Sequence, residues 1–150
     1  MISAFQTTDE ILTSYLSEVL NNSAQPLFFS LMQTPCICAH REHYGSQLQG
    51  VAVFHDEELL EIGKVSHPRR KTEKMVGKML VKELLARKLK SPKLKTGSVR
   101  VLADSHPVRI LSELSETNTA ESINSTHASI SHSGDFVFAA IGDRRLGIDF

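Results

Sequence analysis

The segment Pro68–Leu89 constrains this chain most, because its apolar residues fit only a long helix with one buried face. Met75, Val76, Met79, Leu80 and Leu84 recur at three- and four-residue steps and form a continuous stripe. Pro68 suits the first turn, and Ser91-Pro92 ends the run. Lys71, Lys74, Lys78 and Lys82 fall together on the side opposite the stripe, which reads as a solvated basic face. Gly77 sits inside the helix, where it costs roughly 1 kcal/mol against alanine. A close approach of another backbone or side chain at that point would explain it.

The helix belongs to a strongly basic block. Residues 64–95 hold twelve of the seventeen Lys and Arg and two of the seventeen acidic residues, so the block carries +10 and the rest of the chain −10. A localised positive field attracts phosphates, anionic cofactors or acidic proteins. The other global features are those of an ordinary domain. The chain has 150 residues, 41% hydrophobic and 23% charged, enough to bury a core without staples. Two cysteines are too few for a disulfide scaffold and fit a reducing compartment. No apolar run approaches the ~20 residues a membrane helix needs. Residues 1–20 carry no Lys or Arg but include Asp9, Glu10 and Glu18, which argues against a signal peptide. The expectation is a soluble cytoplasmic protein with no membrane partner.

Elsewhere the patterning is shorter-ranged. Residues 8–20 read as a helix, opened by Thr7 with Glu10 and closed by Asn21-Asn22-Ser23. The apolar stretch Leu27–Ala39, interrupted by Pro35, reads as one or two short strands, and Gly50–Phe54 as another. Ser98–Ala103 alternates like a strand, and 112–126 is polar enough to read as a mobile surface loop. Ala128–Ser131 and Phe136–Ile141 are strand candidates joined by the turn Ser133-Gly134-Asp135. Leu146–Phe150 would run into a further strand. The expected fold class is α+β, a small antiparallel sheet packed on the long helix, in a single lobe spanning 1–150.

The stretch from Ser131 to Asp149 carries the chemistry. Ser131-His132-Ser133 ends a strand before a glycine turn, so the imidazole, hydroxyls and turn N–H groups could donate to an anion. Asp149 ends a short apolar strand, a usual position for a metal-binding carboxylate. On pattern alone this is equally a hairpin with polar ends. The residues themselves say more. Ile130-Ser131-His132-Ser133, then Ala139-Ala140, then Gly147-Ile148-Asp149, resembles the signature of the 4′-phosphopantetheinyl transferases, in particular the two-lobed, surfactin-synthetase-activating type. Upstream, HPRRKTEKMVGKMLVKELL (67–85) resembles that group's basic segment and first-lobe helix. The resemblance covers roughly residues 60–150.

This resemblance implies a holo-acyl-carrier-protein synthase activity. The phosphopantetheine arm of coenzyme A passes to a serine of an apo acyl or peptidyl carrier protein, with magnesium as cofactor. It makes Ser131 and His132 contacts to the cofactor's phosphates, and it places Arg69, Arg70 and Lys74 at the bisphosphate. His106 stands where many members have a Lys or Arg that contacts the cofactor. Asp149 matches the first magnesium carboxylate, so Asp149 and His132 are the implied catalytic residues. The family continues past this motif to a second acidic residue and a second lobe with a Lys-Glu helix, whereas the sequence stops at Phe150 and has no Trp. The expectation is therefore a first lobe that self-associates or pairs with a C-terminal lobe, and that needs this lobe for turnover. The alternatives are a non-catalytic module binding coenzyme A or an acidic partner, and a basic nucleic-acid-binding domain. No aromatic residue interleaves the cations of the long helix, so nucleic acid is not the expected partner. Cys36-x-Cys38-x-His40-x-x-His43 has metal-ligand residue types, but zinc sites more often use Cys-x-x-Cys, and a half-buried strand is the simpler reading.

Overall fold

The computed structural model describes residues 25–48, 53–103, 107–112 and 117–143. The helix expected at 8–20, most of the strand expected at 50–54, the strand expected at 146–150, and the residues His106 and Asp149 lie outside that set.

The apolar stretch after Pro26 folds as a hairpin of β1 (Leu27–Leu31) and β2 (Thr34–His40). Its two-residue turn, Met32-Gln33, is left-handed at both positions, with φ 49° and 69°, the backbone twist that two-residue hairpins favour. β2 pairs with β6 (Phe136–Gly142), and β6 pairs with β5 (His127–Ser133), giving a four-stranded antiparallel sheet in the order β1-β2-β6-β5. Both candidate strands near the C-terminus are thus present, each slightly longer than its apolar run. β6 is buried from Phe136 to Ile141, as its unbroken apolar sequence requires of a central strand. Val137, Ala139 and Ile141 join Ile37 and Ala39 in the main core, whereas Phe136, Phe138 and Cys38 cluster separately, as strand alternation dictates.

The long helix is α3 (Pro68–Leu89), preceded by α1 (Arg41–Leu48) and α2 (Asp56–Gly63). His67 caps α3 by accepting from the Arg69 N–H through Nδ1 at 3.2 Å. Lys90 terminates it in the left-handed conformation, φ 53°. Val76, Leu80 and Leu84 pack into the main core with Ile37, Ala39, Val137 and Ala139. The close approach expected at Gly77 is present: a Cβ there would lie 2.7 Å from Ile130 Cγ2. Only glycine lets α3 seat this closely on β5, and that contact sets the distance from the helix to the strand bearing His132.

The expected basic face does not survive as one surface. Lys78 is 1% exposed and Lys82 0%. α2 brings a carboxylate to each, and β3 (Val99–Leu102) brings a carbonyl to Lys78. Lys78 Nζ donates to Glu61 Oε1 at 2.6 Å and to the Val101 carbonyl at 2.7 Å. Lys82 Nζ donates to Glu58 Oε1 at 2.6 Å, the Val53 carbonyl at 2.8 Å and the Thr96 carbonyl at 3.1 Å. Three acceptors match the three donors of an ammonium group. Burial lowers the Lys82 pKa, and Glu58 opposes that shift. α2 is consequently inverted: Glu58, Glu61 and Ile62 point inward, while Leu59 and Leu60 are exposed. Lys71 and Lys74 remain half-buried nearer the helix start.

β3 pairs antiparallel with β4 (Arg109–Ser112) in a separate two-stranded sheet. Val53 and Phe54 belong to no strand and lead into α2, whose N-cap His55 forms a capping box with Glu58. The stretch expected to be a mobile loop, 112–126, instead begins at the end of β4 and contains α4 (Thr117–Asn124). Ile123, fully buried, anchors that helix, and Thr126 Oγ1 closes its end by donating to the Ser122 carbonyl at 2.6 Å. Among the described side chains of this polar helix, Ile123 is the buried one.

Candidate functional site

The β5–β6 turn and the first turns of α3 meet at one corner. Ser133-Gly134-Asp135 reverses the chain, with Gly134 left-handed at φ 59°. His132 pairs with Val137 and Ile130 with Ala139, so His132 projects from the same face of β5 as Ile130, toward α3. Its imidazole is exposed, with Nε2 3.5 Å from Glu73 Oε2. Arg69 reaches the same place from α3. Its Nε donates to Glu73 Oε1 at 3.2 Å, and its Nη2 donates to the Gly134 carbonyl at 2.7 Å.

A second guanidinium completes the corner, and sequence reasoning missed it. Arg41, the first residue of α1, is buried. Its Nη1 donates to the Gly134 carbonyl at 2.8 Å and lies 3.6 Å from Glu73 Oε1; its Nη2 is 3.3 Å from Asp135 Oδ1. The Arg41 backbone N–H donates to the Asp135 carbonyl at 2.7 Å. Two guanidinium groups therefore converge on one turn carbonyl and one buried carboxylate, fixing the hairpin on which His132 stands.

The structure thus brings together Arg69 and His132. Arg70 is exposed and Lys74 half-buried on the next ridge of α3, four residues apart and on one side of the helix. Ser131 pairs with Phe138 and therefore lies on the face of β5 opposite His132. Arg41 and Arg69 are matched here by Glu73, Asp135 and Glu42, whose Oε1 lies 2.9 Å from Arg41 Nε, so the groups left facing outward are the exposed His132 imidazole and Arg70. Donors of this kind suit phosphate oxygens.

Metal ligation is another matter. Among the described residues no three His, Cys, Asp or Glu side chains converge as a metal-binding set. Glu73 has Arg41, Arg69 and His132 around its carboxylate. The described residues of this corner do not fit magnesium, which needs uncommitted oxygen ligands. Zinc at the cysteine stretch fares no better. Cys36 and Cys38 are free and buried, with burial pushing both thiols up, and His40 Nδ1 accepts from the His43 N–H at 3.2 Å.

No protein-family model matches the chain, and no curated protein does. Solved structures do. The structure of the Chronobacterium ammoniagenes ACPS–CoA complex superposes with a TM-score of 0.54 at 21% identity, over 72% of this chain and 93% of that one. The apo-ACPS structure superposes with a TM-score of 0.56 at 19% identity, over 78% and 96% respectively. No helix among the described residues is long and apolar enough to cross a membrane. The mixed helix and antiparallel sheet of this chain is accordingly the fold of the ACPS structures.

Proposed function

We propose that the chain is a 4′-phosphopantetheinyl transferase with holo-acyl-carrier-protein synthase activity. The observation that carries this reading is the convergence of Arg69 and His132 on one corner of an ACPS fold. One of the similar structures is a CoA complex, and coenzyme A presents the phosphate-rich anion that such a corner suits. In the reaction, a carrier-protein serine Oγ attacks the β-phosphorus of coenzyme A. A new P–O bond forms, and the P–O bond to the bridging oxygen breaks. Adenosine 3′,5′-bisphosphate leaves with that oxygen, and the serine proton passes to a base. This chain's part is to bind and orient. Arg69, Arg70 and Lys74 neutralise the bisphosphate, His106 adds a cofactor contact, and His132 donates toward the diphosphate, while Ser131, on the other face of β5, takes no part. Asp149 is the residue assigned to magnesium. On the two-lobed resemblance, the base and a second acidic residue belong to a C-terminal lobe.

The test is transfer of a labelled phosphopantetheine arm to an apo carrier protein. With a matching C-terminal lobe supplied in trans, labelling is expected, and Asp149→Ala should abolish it. Labelling by a monomeric chain alone would overturn the need for a second lobe. Coenzyme A binding without labelling in any combination would favour a non-catalytic coenzyme-binding module.

A further inference from the structure

We propose that the C-terminal end of α3, with the neighbouring strand β1, is a docking surface for an acidic, apolar-bearing segment of a partner protein. This surface is separate from the corner described above. Arg87 follows Arg69 by eighteen residues, which at about 1.5 Å per residue is roughly 27 Å along the helix. The inference does not rest on the transferase reading.

Charge is the first observation. Arg87, Lys88, Lys90, Lys93 and Lys95 lie within nine residues that contain no Asp or Glu. Among the described residues two carboxylates face this group. Glu83 is 3.6 Å from Lys95, and Asp143 is 3.2 Å from Lys88. Five cations against two carboxylates leave a surplus of three. The backbone that presents them is shaped rather than loose. Lys90 adopts the left-handed conformation, and Pro92–Lys95 forms a 3-10 turn anchored by fully buried Leu94.

Shape is the second observation. Two concavities of about 410 and 400 Å³ share Phe28 and Arg87. The first is lined by Phe28, Ala86 and Pro92 together with Lys90, Lys95 and the carboxylate of Glu83. The second has Phe29, Pro35 and Leu84, with Lys88 at its margin. Apolar walls whose cations outnumber the one carboxylate, Glu83, match a segment whose apolar side chains meet the walls while its carboxylates meet the cations. Nucleic acid fits less well. The Arg87 guanidinium lies 4.2 Å from the Phe28 ring centroid, so that ring face is taken and cannot stack a base.

The full chain can be titrated by fluorescence anisotropy with a labelled peptide of alternating Glu and Leu, its Gln–Leu counterpart, and a labelled oligothymidine. The acidic peptide is expected to bind about tenfold or more tightly than the Gln–Leu peptide. Arg87→Glu with Lys90→Glu should weaken it by about tenfold or more, and Lys93→Glu alone by about threefold. Arg70→Glu, at the far end of α3, should leave it unchanged. All of these positions are exposed, so the melting temperature should hold. Equal binding of the two peptides, acidic-peptide binding that survives charge reversal in a folded variant, or tighter binding of oligothymidine would overturn the proposal.

Discussion

Replacing Glu58 by alanine is expected to destabilise the fold by about 3–5 kcal/mol, because it leaves a buried ammonium without its counter-ion. Glu58 is 0% exposed and serves three donors. Its Oε1 accepts from Lys82 Nζ at 2.6 Å and from the His55 N–H at 2.9 Å; its Oε2 accepts from the Val101 N–H at 3.1 Å. One substitution therefore strands a charge and two backbone donors and also removes half of the capping box of α2. Joint replacement with Glu58→Leu and Lys82→Met should cost less than Glu58→Ala alone, since an apolar pair leaves no charge buried. Urea unfolding checks both. A loss below about 1 kcal/mol for Glu58→Ala would mean that water reaches the pair, as it does for surface ion pairs. The pH dependence has a defined sign. With the Lys82 pKa depressed in the folded state, the folded chain binds fewer protons than the unfolded one between that value and the ordinary 10.5. The contribution of Lys82 to stability therefore rises as pH climbs through that window.

Charge reversal at Arg70 or Lys74 is expected to weaken coenzyme A by about ten- to a hundredfold, the equivalent of one charged hydrogen bond lost at roughly 1.5–3 kcal/mol. Dephospho-coenzyme A should be affected far less, because it lacks the 3′-phosphate that these side chains are proposed to meet. Arg69 is a poorer site for this experiment. It holds Glu73 and the Gly134 carbonyl, so its loss would also release the hairpin. Isothermal titration with both ligands separates the cases. Equal weakening of the two would remove Arg70 and Lys74 from the bisphosphate.

What could be read beforehand depends on how local the cause is. The apolar stripe of α3 repeats over nearly three turns, and the Ser133-Gly134-Asp135 turn lies between its own two strands, so both were legible. The burial of Lys78 and Lys82 was not. Helical spacing places them on one side of α3, but Glu58 and Glu61, which make burial tolerable, lie on another helix. The polar composition of 112–126 concealed α4, whose buried Ile123 is one of few apolar residues in a polar run. In the candidate site, Arg69 and His132 were reached through family resemblance, and the geometry brings them together. Arg41 lay outside the basic block, and its role is set by a carbonyl ninety-three residues away. The separation of Ser131 from His132 was available from strand alternation alone, since neighbouring residues face opposite sides.

The corner that bears His132 is proposed to receive the phosphates of coenzyme A. Calorimetric titration of coenzyme A into the full chain and into His132→Ala, alongside their melting temperatures, tests it most directly. His132 is exposed and anchors no core contact, so its loss should leave the melting temperature unchanged while weakening coenzyme A about tenfold. A wild-type chain that does not bind coenzyme A, or a His132→Ala chain that binds it equally well but melts at a markedly lower temperature, would contradict the claim and make His132 a structural residue of the hairpin.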